Sequence, residues 1–175
     1  MSSIKAQALK PEPEFDFEYY LALTGETRID HSLLEKLEKH WNEWLPHLKA
    51  YRLAPAGDTR SAGHLIAFLD APVEQAVEEL WQTSPFEGMA AHNLAICLVM
   101  QTAAGFIPQV AQGGCAPLTK PGKDIRRAFE KLGLEWNEEG TVNRQYAVFT
   151  PMPYAGGCKV CFLKESCPKS TERKQ

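Results

Sequence analysis

Four of the five cysteines in this chain stand in segments rich in glycine and proline. The first is Cys115. After a gap of 42 residues come Cys158, Cys161 and Cys167, a C-x2-C-x5-C run closed by Pro168. Both arms open on the same tripeptide, Gly113-Gly114-Cys115 and Gly156-Gly157-Cys158. If the four thiols serve one centre, two distant segments must converge, and the C-terminal loop must fold back onto the body. The fifth, Cys97, lies inside an apolar run and reads as a small buried hydrophobe.

Each part of the pattern has a chemical reason. A cubane cluster requires thiolates converging on a small inorganic core. The C-x2-C spacing lets one turn aim two sulfurs at one point, and the longer gap lets the chain wrap before offering a third. Glycines allow close backbone approach and positive φ. Lys159 and Lys164 offset the negative charge of thiolate-ligated metal. The pattern therefore predicts one [4Fe–4S] cluster on Cys115, Cys158, Cys161 and Cys167. Zinc is the alternative, since structural zinc also takes four cysteines, usually as two short pairs.

The Cys158, Cys161 and Cys167 spacing resembles the last three cluster ligands of the endonuclease III class of iron–sulfur DNA glycosylases. With Cys115 added, it is similar to the cluster loop of CRISPR-associated and recombination-associated iron–sulfur exonucleases. That resemblance implies a cluster that pins the C-terminus and shapes a DNA-binding surface. It is confined to the cysteine loop. No helix-hairpin-helix glycine loop followed by a catalytic Asp accompanies it.

Charge narrows the partners. The net charge is −3, so no overall basic field exists for nucleic acid or anionic lipid. Residues 1–114 carry a net −7 and residues 115–175 a net +4. An acidic body is thus joined to a basic third that suits an acidic protein or, less directly, nucleic acid. The start of the chain has no apolar core of the signal-peptide kind. Leu94–Val110 is the most apolar stretch, but Gln101, Gly105 and Pro108 interrupt it, so it reads as a core helix. The expectation is a cytoplasmic protein without a membrane segment, where clustered cysteines signal metal or redox chemistry rather than disulfides.

Periodicity predicts a mainly α fold: a compact, all-alpha helical domain with one small β-hairpin and the cysteine loop folded on the helices. Residues 1–13 read as a flexible arm, 14–168 as a single metal-binding domain and 169–175 as a flexible basic tail. A helix opens near Asp30 or Ser32, and Leu33, Leu34, Leu37, Trp41, Trp44 and Leu45 recur along it at helical spacing. Pro46 interrupts it, with the helical register able to resume over His47–Leu53. Asp70 with Pro72 and Ser84 with Pro85 and Glu87 mark two more helix starts. Gly63–Leu69 fits either strand or helix. Ile125, Ala128, Phe129 and Leu132 define a further helix, and Leu134–Trp136 and Arg144–Thr150 a hairpin.

Catalytic residues are not legible. The histidines form no metal-binding pair, and there is no phosphate-binding glycine loop or nucleophile elbow. His92 stands out because a polar ring near the start of the most apolar helix needs a partner. The reading is a small iron–sulfur protein in electron transfer, redox sensing or accessory service to a larger metalloenzyme. The competing reading is a zinc- or cluster-stapled binding module for nucleic acid or an acidic protein, without catalysis.

Overall fold

The computed structural model describes residues 3–57 and 62–171. Part of the predicted loop at Pro55–Ser61 and the last four residues of the predicted basic tail lie outside the described residues.

The mainly α, all-alpha expectation is corrected. The chain is a mixed α/β fold built on a four-stranded antiparallel sheet. The strands are β1 (Ile4–Leu9), β2 (Leu48–Pro55), β3 (Gly63–Leu69) and β4 (Ala147–Met152), in that spatial order. Between β1 and β2 lie helices α1 (Phe17–Thr24) and α2 (His31–Trp44). Between β3 and β4 lie α3 (Ala71–Thr83), α4 (Pro85–Phe106), α5 (Pro108–Ala111) and α6 (Lys123–Lys131).

The two faces of the sheet explain why its strands do not read as strands. Leu48, Ala50, Leu65, Ala67, Leu69 and Val148 point into the large core under α1 to α4. Leu53, Ile66, Phe68 and Phe149 point the other way, onto Ala128 and Phe129 of α6 and onto Leu134 and Val142. A strand buried on both faces becomes a continuous apolar run, without the alternation that marks a half-exposed strand. Hence β3 is ambiguous from sequence. In β2, Pro46 closes α2 through a 3-10 turn at Leu45–His47, and the chain leaves it extended rather than helical. Residues 4–9 of the predicted arm form the edge strand β1, paired with β2 from Ile4↔Pro55 to Leu9↔Ala50. The hairpin also rearranges. Leu134–Trp136 contributes one bridge, Trp136↔Val142, while β4 joins β3 in the main sheet.

The helix starts follow their local chemistry. Asp30 caps α2 by accepting from the Leu33 amide at 3.0 Å, and the Ser32 hydroxyl donates to the same carboxylate. Ser84 caps α4 by accepting from the Glu87 amide. Asp70 precedes α3, but its carboxylate pairs with Lys49 of β2 at 3.1 Å. Helix α4 has the length and apolar composition of a membrane span, yet it is the core helix of this fold. It packs on α1, α2, α3, β3 and β4, burying Leu94, Ala95, Leu98 and Ala103 completely. Each buried leucine contributes about 2–3 kcal/mol of transfer free energy. Gly88 lets α4 meet α3 closely, since a Cβ there would lie 2.7 Å from Trp81.

Candidate functional site

The two cysteine arms meet where the chain just after Cys115 bonds to the Cys158–Cys167 loop. The first arm leaves α5 through Gly113, whose φ of 85° a side-chain-bearing residue rarely adopts. The Gly114 amide then donates to the Gln109 carbonyl at 3.0 Å, and a Cβ on Gly114 would lie 2.5 Å from that oxygen. Cys115 follows, exposed to solvent. The second arm leaves β4 and turns through Gly156 and Gly157, at φ of 71° and 50°. A 3-10 turn at Gly157–Lys159 carries Cys158. Tight turns continue the loop: the Cys161 amide donates to the Cys158 carbonyl, Lys164 to Cys161, and Cys167 to Leu163.

Two consecutive carbonyls join the arms to the body and to each other. Pro117 accepts from the hydroxyl of Thr150, a fully buried residue of β4, at 2.8 Å. Leu118 accepts from the Phe162 amide at 2.9 Å. The Phe162 ring lies against Gly140, and the Lys120 ammonium sits 5.8 Å from its centre. Between Leu118 and Lys120, Thr119 Oγ1 is buried without a hydrogen-bond partner. It is the one such side-chain atom found among the described residues. The cysteine loop thus meets the α5–α6 connection at Leu118 and the α6–β4 connection at Gly140.

None of the five cysteines is in a disulfide. Cys97 is buried in α4, and burial, with a smaller contribution from Asp16, pushes its thiol up to about 12. The other four stand outside the core. Among the described residues, no three His, Cys, Asp or Glu side chains form a group able to hold a metal. The expectation of an assembled iron–sulfur, metal-binding group is therefore corrected: the fold joins the two arms through backbone, and no such group is formed among the described residues. By donor chemistry, four reduced thiols on two arms clasped together suit a soft metal or cluster, and the orphaned Thr119 hydroxyl beside them is a donor without an assignment.

His92 has an intramolecular partner. Its Nδ1 lies 3.0 Å from the hydroxyl of buried Tyr146, and the rings meet edge to face. Tyr146 lies beside α3, where Glu74 accepts from the Gln145 amide at 2.8 Å and pairs with Arg144 at 3.3 Å. The other described histidine contacts are local or stacked. His31 pairs with Glu35, His40 with Glu43, and His64 stacks on Phe149. On α6, Arg127 pairs with Asp124, and Arg126 Nε donates to the Pro121 carbonyl.

A cavity of about 530 Å³ at the junction of α1, α2 and α4 carries no sequence signature. Helix α4 is apolar on nearly every side, so periodicity does not reveal that its first turn faces solvent. Comparison with known protein families, curated proteins and solved structures finds no match to this chain.

Proposed function

We propose that the chain is a small cytoplasmic iron–sulfur protein whose ligand set is completed by its metal. Cys115, Cys158, Cys161 and Cys167 would hold one [4Fe–4S] cluster, which supplies one-electron chemistry when bound. Its service would be electron transfer, redox sensing or support of a larger metalloenzyme through a protein partner. One observation carries this reading: consecutive carbonyls at Pro117 and Leu118 hold the Cys115 segment against β4 and the Cys158–Cys167 loop together. On this reading, the two clasped arms must converge on the metal by side-chain and turn adjustments. Positive-φ glycines before Cys115 and Cys158 give the backbone that latitude. Lys159 and Lys164 supply compensating charge from within the loop.

Anaerobic purification of the full chain, with a visible spectrum and iron, sulfide and zinc analysis, tests it. The expected result is a brown protein with about four iron and four sulfide per chain. Cys158→Ser should lose the metal, and Cys97→Val should keep it. A colourless protein with one zinc would replace this reading with a stapled module that binds an acidic protein or nucleic acid. Steep weakening of nucleic-acid binding by salt would then separate those partners. No metal under anaerobic conditions, or metal loss in Cys97→Val, would overturn the assignment.

A further inference from the structure

The cavity between α1, α2 and α4 carries an inference independent of the cysteines. Among the described residues, five large hydrophobic side chains are exposed, and three of them line this one cavity: Leu23, Phe86 and Met89. Phe86 is 66% exposed. Holding an aromatic ring and a methionine in water beside a concavity is unfavourable unless something covers them. The volume of about 530 Å³ lies within the range of small-molecule sites, about 300–1,000 Å³.

The polar lining selects the ligand. Half-buried Asn93 faces the cavity, and its side-chain amide makes no hydrogen bond within the described residues. Glu26, Asp30 and Arg28 also line it. One Asp30 oxygen is committed to the start of α2, while the Glu26 carboxylate forms no ion pair among the described residues. The lining therefore holds two carboxylates against one cation. It belongs to the part of the chain, residues 1–114, whose net charge is −7, so the surrounding field favours a cation. The exposed Phe86 ring adds a face that attracts an ammonium group.

We propose that this cavity binds a small amphipathic amine: an apolar or aromatic body against Leu23, Phe86 and Met89, and a cationic head near Glu26 and Asn93. Three probes with nearly the same body separate the contributions: phenethylamine, phenethyl alcohol and phenylacetate. Titration calorimetry on the full chain at neutral pH is expected to rank them in that order. The amine should bind with a Kd of about 1 mM or tighter and exceed the alcohol by about two- to fivefold. Glu26→Gln should weaken the amine alone, Arg28→Gln should strengthen it, and Phe86→Ala should weaken all three. Because these side chains are exposed, circular dichroism should be unchanged in every variant. Equal affinities, preference for the carboxylate, or no saturable binding would overturn the proposal. Self-association abolished by Phe86→Ala, without amine binding, would assign the groove to a second copy of this chain instead. None of these outcomes depends on metal content.

Discussion

The hydroxyl of Tyr146 lies 3.0 Å from Nδ1 of His92, binding the segment before β4 to the middle of α4. Tyr146 is 1% exposed, and Glu74 on α3 holds the neighbouring Gln145 amide. The pair therefore ties β4, the strand reached only after four helices, to the core helix. Tyr146→Phe removes the hydroxyl while keeping the ring. The expected cost is about 1–2 kcal/mol, because a half-buried imidazole nitrogen loses its partner. Urea denaturation should show a lower midpoint at unchanged slope.

Alkali should destabilise the fold through three buried groups. Burial pushes Cys97 up to about 12, and Tyr20 and Tyr146 likewise to about 12; Glu74 and Glu78 add to the effect at Tyr146. A group that holds its proton more tightly when folded stabilises the fold below its ordinary pKa. That contribution drains away as pH climbs through the folded value. Thermal midpoints should hold up to about pH 9 and fall steadily towards pH 12. Cys97→Val should flatten the first part of that decline.

Acid acts through His64. It stacks on Phe149 with ring centres 4.9 Å apart, and burial lowers its pKa below the ordinary 6.5. A neutral ring is favoured in the folded state, so its contribution is present above pH 6.5 and lost as pH falls below it. His64→Phe keeps a stack and removes the proton. The variant should lose the stability slope below pH 6.5 that the parent shows in pH-dependent melts.

Gly88→Ala tests the close approach of α3 and α4. The added methyl would meet the Trp81 backbone and ring at 2.7 Å, and backbone cannot swing aside. The expected loss is about 1–3 kcal/mol despite the better helix propensity of alanine, measured by chemical denaturation.

Thr150→Val leaves the buried Pro117 carbonyl without its donor. A cost of about 1–3 kcal/mol is expected. The same variant should load less metal than the parent under anaerobic reconstitution, because the Cys115 arm loses its anchor on β4.

Helix ends were the most legible part of the sequence. Ser84 with Glu87 and Asp30 ahead of Leu33 act over three residues, whereas Asp70, also at a helix start, makes no side-chain cap and pairs with Lys49. The strands were hidden for a definite reason. Ile66 and Leu65 are both fully buried, on opposite faces, so the run shows no period. Tyr51 and Leu53 follow an amphipathic helix, and nothing local distinguishes a resumed helix from a strand that α6 covers. The cysteine spacing was readable as two arms. Their meeting through Pro117 and Leu118 was not, because a backbone carbonyl leaves no trace in residue identity. The cavity at α1, α2 and α4 depends on which turn of an apolar helix is left uncovered, a property of packing alone.

The adjacent carbonyls of Pro117 and Leu118 also make the meeting of the arms depend on a long-range closure. Thr150 reaches the first only from a docked β4, and Phe162 reaches the second only from the loop that β4 delivers. Closing β4 onto β3 spans the whole excursion from α3 to α6, the most distant closure in the sheet. The two arms therefore stand side by side only where β4 has docked on β3.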